Sequence, residues 1–318
     1  MNSKQFQVFL VYPEGPRFSH PSLRCGSSLY HSFPPQMIAQ TEFDFRMRCL
    51  HVHMMKIKRL WLLPLVSAFL LMTACHTVPQ TGRSALHLVP SDQLTQMASD
   101  QFEQLKQETP ISKDPEYIAM VQRAGERIAI VAKPDLPNAE WEFVVFDDDD
   151  QVNAFAMPGG KVAVYTGLFQ VAKDENDLAI VMGHEVAHVS AHHGNERMSQ
   201  QLLTAGGALA LGLGTKDMDT QNRQLLMAAY GAGTTIGFLL PYSRYHESEA
   251  DEIGLLYAAK AGYDPRAAIP FWERMAELSA GKAPPEFLST HPSGQTRVER
   301  LTKLMPRAVR LYENSVSR

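Results

Sequence analysis

Val181–Val189 reads VMGHEVAHV, and within it His184-Glu185-Val186-Ala187-His188 decides how the rest of the chain is read. On an α-helix, residues i and i+4 lie about 40° apart and one turn along, so both imidazoles face one point. Glu185 is displaced by about 100° from His184, beside that point rather than on it. Two histidines and a neighbouring carboxylate so arranged suit a metal ion, with the carboxylate working on a water next to it. Leu178, Ile180, Val181, Val186 and Val189 make the helix apolar on its remaining faces. Burying two His and a Glu without partners would be costly, so the spacing predicts a zinc site at the centre of the domain.

A catalytic zinc takes three protein ligands and keeps one position open. The metzincin pattern would put the third His six residues after His188, but residue 194 is Gly. His192 and His193 have the wrong spacing and are expected to face solvent near the helix end. A glutamate from a second helix is the other solution. Ser243–Asp251 reads SRYHESEAD, where Glu247 and Asp251 again form an i, i+4 pair. Glu247 is expected as the third ligand, and Asp251 as the acceptor of a ligand histidine's N–H, fixing its tautomer. Glu249, about 200° round the helix from Glu247, is expected to point away as a solvated residue.

Upstream, helices are expected near 91–108 and 114–132, then strands over Glu140–Phe146 and Val152–Met157 with the acidic loop Asp147–Asp150 between them. Pro158-Gly159-Gly160 turns the chain into Lys161–Tyr165, a hairpin. From 174 onward the pattern is helical: 174–193, 196–214, 221–240, 244–261, 265–279 and 293–304. The fold class is α+β and mainly α-helical, one domain with a small sheet next to the HEVAH helix. Residues 202–214 and 225–241 are apolar and rich in small residues. At 13 and 17 residues they are short for a membrane span. They are expected as buried helices near the site, with contact to a membrane surface as the other reading.

HEVAH followed by ESEAD resembles the gluzincin zinc peptidases, the family of the CAAX prenyl protease, HtpX and the bacterial periplasmic proteases BepA and LoiP. The resemblance also rests on NAFAMPGGKVAVYTGL (153–168) and STHPSGQTRVERL (289–301), and covers roughly 90–305. It looks closest to small periplasmic lipoproteins and to the related stress peptidase of the mitochondrial inner membrane. It implies zinc, one per chain, and hydrolysis of peptide bonds in misfolded or unassembled cell-envelope proteins, with Glu185 as general base. It also implies an edge strand that binds extended polypeptide mainly through its main chain, here at Asn153, Ala154 and Phe155. A second oxyanion donor is needed, and His291, Arg297, Arg244, Tyr245 and His246 are the candidates. His291 is preferred as a catalytic residue from the family's Ser-x-His-Pro segment, although it can instead approach the zinc and block the open position.

Composition fits that reading. The chain has 318 residues, 45% hydrophobic and 20% charged, as ordinary globular proteins do. A formal charge of −4 lacks the basic excess that nucleic-acid binding needs, so no nucleic-acid partner is expected. Three cysteines do not make a disulfide scaffold.

Met55–Cys75 reads MKIKRLWLLPLVSAFLLMTAC: a basic start, a short apolar stretch and small residues before a cysteine. This is the layout of a secretory signal, and its end resembles a bacterial lipobox, with Met72 where Leu is usual. Four parts are therefore expected: a non-native or disordered extension over 1–54, a lipoprotein signal peptide over 55–75 with lipidation at Cys75, a tether over 76–92, and the peptidase domain over 93–318. His76 after Cys75 favours the periplasmic face of the outer membrane, with the lipid as the membrane contact. Without residues 1–74 the chain has 22 basic and 31 acidic residues, a net charge of −9. Two other functions compete: a chaperone-like or binding lipoprotein with little turnover, which has no need of Glu185, and an intramembrane prenyl-protein protease, which needs more membrane spans.

Overall fold

A computed structural model describes residues 75–278, 287–288, 291 and 295–317, all within one compact unit, Phe69–Arg318. The expected extension, and the signal segment as far as residue 74, lie outside the described residues. The elements in order are β1 (Cys75–Thr77), β2 (Ser84–Leu86), α1 (Ser91–Glu108), α2 (Pro115–Ala132), β3 (Glu142–Phe146), β4 (Ala154–Met157), β5 (Lys161–Tyr165), α3 (Glu175–Ser190), α4 (His193–Gly214), α5 (Thr220–Thr234), α6 (Leu240–Lys260), α7 (Ala268–Leu278) and α8 (Gln295–Val316).

The α+β, mainly helical expectation holds, and α3 is its axis. Asp174 caps this helix, accepting from the backbone N–H groups of Asn176 and Asp177. Its residues from Asp177 to His188 are all buried. One side packs on α2 and the sheet, the other on α6. The sheet has the order β3-β5-β4, with β3 and β5 parallel and β4 antiparallel to β5 through the Pro158–Gly160 turn. That order leaves β4 at the edge, beside α3.

The two helices that carry the HEVAH and ESEAD motifs touch backbone to backbone. A Cβ on Gly254 would lie 2.6 Å from the His184 backbone nitrogen, and one on Gly183 would lie 2.7 Å from the Gly254 carbonyl oxygen. Neither atom belongs to a flexible side chain, so only glycine lets α3 and α6 approach this closely. Gly254→Ala is expected to force the helices apart and destabilise the domain by about 1–3 kcal/mol. A thermal melt checks this, and an unchanged Tm would mean the crossing has slack.

Three expectations change. Residues 76–92 do not hang free as a tether: β1 and β2 pair as a hairpin, with Val78 and Ala85 buried in the main core, and α1 begins at Ser91. Among the described residues of the apolar stretches 202–214 and 225–241 none is buried. Helix α5 has no buried residue, and Leu209, Leu213, Leu225 and Ile236 are each at least 65% exposed. Helices α4 and α5 pack on each other, with the Tyr230 hydroxyl donating to the Thr204 carbonyl at 2.9 Å. Among the described residues no helix is long and apolar enough to cross a membrane. Finally, α8 runs to Val316 with Pro306 inside it, because Leu301 and Ala308 hold it to the core on either side.

Candidate metal centre

Helix α3 presents His184 and His188, α6 presents Glu247, and His291 enters from the chain before α8. One ligand atom from each lies within 4.8 Å of all the others. His184 Nε2 is 3.1 Å from His188 Nε2, 3.4 Å from Glu247 Oε2 and 3.3 Å from His291 Nδ1. His188 Nε2 is 3.4 Å from Glu247 Oε1. Ligands about 2.0–2.1 Å from a tetrahedral ion would stand about 3.3 Å from one another, and the four spacings of 3.1–3.4 Å are of that size. The donor set, nitrogen plus carboxylate oxygen, suits the same ion. Glu185 is buried beside the cluster, its Oε1 without a hydrogen-bond partner and 3.6 Å from His291 Nε2. These residues fit a zinc ion.

The charges around the cluster are matched. Arg297, 2% exposed, donates from Nε to Asp251 Oδ2 and from a terminal nitrogen to Glu247 Oε2, both at 2.8 Å, and stacks over Trp272. Asp251 Oδ1 in turn lies 3.0 Å from His184 Nδ1. Burial pushes the His184 imidazole down, but Asp251 and Glu247 outweigh it and hold its pKa at about 9. For Glu247, burial pushes up while His184 and His291 pull the carboxylate far below the usual range. Burial holds Glu185 above the usual carboxylate range and His188 well below an ordinary histidine.

Two of the residues expected in solvent are buried second partners of the ligands. His193 is fully buried, with Nδ1 2.8 Å from His188 Nδ1 and Nε2 2.9 Å from Glu249 Oε2. The cause is a turn at His192, which takes a left-handed φ of 56° and swings the start of α4 back against α3. Glu249 is 4% exposed, because α6 is covered on this face as well. Arg83 Nε donates to Glu249 at 2.9 Å, the Thr81 hydroxyl donates to the same carboxylate, and Arg83 also reaches Glu196 at 2.7 Å. His192 is half-buried, in ring contact with His76 and His87 of the hairpin. Sequence reading missed Arg83 and His193; the only signal was a charged residue and a histidine in apolar surroundings.

Of the possible oxyanion donors, Arg297 is committed to Glu247 and Asp251, and His246 to Glu196 at 2.9 Å. Tyr245 lies under Arg83 and Arg244 is exposed, whereas His291 stands in the cluster itself. A cleft of about 380 Å³ opens onto this centre, walled by Asn153, Ala154 and Phe155 and floored by Glu185, His188 and His291. The Phe155 ring packs on Phe102 at 6.3 Å, and β4 is an edge strand of its sheet.

The model of the family described as peptidase family M48 matches residues 116–305. The chain belongs to that family. The matched span contains His184, Glu185, His188, Glu247 and His291, and leaves the β1–β2 hairpin outside it. Among M48 relatives, the mitochondrial metalloendopeptidase OMA1 of Schizosaccharomyces pombe is 35% identical over 236 residues, covering 73% of this chain and 66% of that protein. The human mitochondrial metalloendopeptidase OMA1 is 34% identical over 74% of this chain and 47% of its own length. The beta-barrel assembly-enhancing protease of Escherichia coli K12 is 30% identical over 75% of this chain and 50% of its own length. The chain thus spans between about half and two thirds of these relatives.

Proposed function

We propose that this chain is a zinc metalloendopeptidase that cuts extended or unfolded polypeptides in the cell envelope. The observation that carries the reading is the convergence of His184, His188 and Glu247 beside a buried Glu185 whose Oε1 has no hydrogen-bond partner among the described residues, at the end of a cleft bordered by an edge strand. A polypeptide laid antiparallel on β4 would gain main-chain hydrogen bonds there. Because those bonds are blind to side chains, such a groove favours unfolded segments over a fixed sequence. His184, His188 and Glu247 would hold the zinc, which when bound would supply Lewis-acid polarisation of a carbonyl and acidify water. Glu185 takes a proton from the attacking water and returns it to the leaving amine, so that water is divided between the new carboxyl and amino ends. Arg297 and Asp251 keep Glu247 and His184 in place throughout. The test is zinc content together with cleavage of an unfolded protein by the full chain.

The same reading places the chain on a membrane through lipid on Cys75, with misfolded or unassembled envelope proteins as substrates. Its support is the basic, then apolar, then small-residue run from Met55 to Cys75. Cys75→Ser is expected to abolish incorporation of labelled fatty acid in a bacterial host and to shift the chain out of the membrane fraction. Labelling that survives the substitution would rule out this anchor.

A second reading, a binding lipoprotein with latent activity, is favoured by one observation: His291 lies where the open position of a working site belongs.

A further inference from the structure

We propose that Arg83, on the β1–β2 hairpin, is a positioning residue for the metal ligand His188 and acts through Glu249 and His193. The inference rests on the zinc reading of the site.

The proton bookkeeping along the chain of contacts carries it. His193 Nε2 stands 2.9 Å from Glu249 Oε2, and a carboxylate only accepts, so this nitrogen bears the hydrogen. In a neutral His193 the other nitrogen, Nδ1, is then an acceptor. It stands 2.8 Å from His188 Nδ1, which must therefore be the donor. A His188 that carries its hydrogen on Nδ1 has a bare lone pair on Nε2. That is the nitrogen facing His184 and Glu247. The relay selects the one tautomer of His188 that can ligate a metal and holds the ring in plane with it.

Glu249 is the buried carboxylate on which the relay ends. Its side chain is 2% exposed, and a carboxylate so buried is costly to keep charged without a cation. Arg83 is that cation, within 2.8–2.9 Å of Glu249 Oε2 through two of its nitrogens. Arg83 also reaches Glu196 Oε2 at 2.7 Å, and Glu196 holds His246, whose ring stacks on His193 at 4.2 Å. The guanidinium therefore fixes His193 at its edge and at its face. A lysine has one charged nitrogen where Arg has a fork, and cannot serve both carboxylates with the same geometry. Arg83 is held in turn by its hairpin: Val78 and Ala85 are in the core, and His76 and His87 touch His192. An N-terminal arm outside the matched M48 span thus takes part in forming the metal centre.

The experiment compares the full zinc-loaded chain in detergent with Arg83→Ala, Arg83→Lys, His193→Ala and the Arg83→Ala/His193→Ala double variant. Zinc retention is measured against a competing chelator, and the visible spectrum is recorded after cobalt substitution. Arg83→Ala is expected to weaken metal binding by about 10–100-fold and alter the cobalt spectrum, with Arg83→Lys in between. It should lower kcat more than it raises KM, because Arg83 does not line the cleft. His193→Ala should match it, and the double variant should be little worse than either single one, as expected for members of one network. Arg83→Ala that melts earlier yet keeps the wild-type chelator profile and cobalt spectrum would overturn the proposal, as would single losses that multiply in the double variant. If Arg83→Ala does not fold, Glu249→Gln, which keeps the shape and removes the charge, replaces it in the same comparison. Wild-type chain without stoichiometric zinc would overturn the zinc reading itself. Wild-type zinc with unaffected variants would overturn only the positioning role.

Discussion

Glu185→Gln is expected to keep one zinc per chain while losing peptide hydrolysis by about 10²–10⁴-fold, the usual worth of a positioned acid–base group. The substitution preserves volume and the polar contact with His291, so the fold and the ligand set should be untouched. What it removes is the ability to accept a proton. Glu185 is suited to that task by its surroundings: α3 buries it beside the ligand histidines, and burial holds its carboxyl above the usual range. A base with a raised pKa takes a proton from water more readily and still releases it to the leaving amine. Its Oε1 has no hydrogen-bond partner among the described residues, which leaves it available to a water. Zinc by elemental analysis and cleavage of an unfolded protein, measured on the same preparation, give the answer. Zinc kept and cleavage kept would remove Glu185 from the chemistry. Zinc lost together with cleavage would mean that Glu185 supports the site rather than acting in it.

What the sequence made legible was whatever depends on spacing within one element. The i, i+4 rule brings His184 to His188 and Glu247 to Asp251 without any knowledge of the fold, and two such pairs on apolar helices leave few ways to build one site. The Pro-Gly-Gly turn likewise announces the β4–β5 hairpin. What stayed hidden depends on what covers a helix. Glu249 looked solvated because it lies opposite Glu247, yet α6 is covered on both faces and the covering residue, Arg83, is 166 positions away. His193 looked like a helix end because nothing local marks the left-handed turn at His192. The apolar runs of α4 and α5 failed in the opposite sense. Apolar composition says that burial is favourable, but not what provides it, and in this chain those side chains remain exposed.

His291→Ala is expected to raise peptide hydrolysis by about 10–100-fold without loss of zinc. His291 Nδ1 is 2.9 Å from Glu247 Oε1 and 3.3 Å from His184 Nε2, so it completes the tetrahedron that a hydrolytic site must leave open. Its ring is braced by stacking on Phe287 at 4.6 Å, and its N–H bonds the Phe287 carbonyl at 2.7 Å. Activity then scales with the fraction of molecules in which the His291 imidazole has left this position. A closed state favoured by about 1.4–2.7 kcal/mol keeps that fraction near one in ten to one in a hundred. Truncating the imidazole removes the favoured contact but leaves His184, His188 and Glu247 to hold the metal. The opposite sign would be equally informative. If His291 instead donates to the oxyanion, truncation should cost about 10²–10³-fold in kcat, and latency would have to come from elsewhere. A rise and a fall cannot both come from the same residue in a single-turnover assay with saturating substrate, so this one measurement separates a gate from a catalytic group.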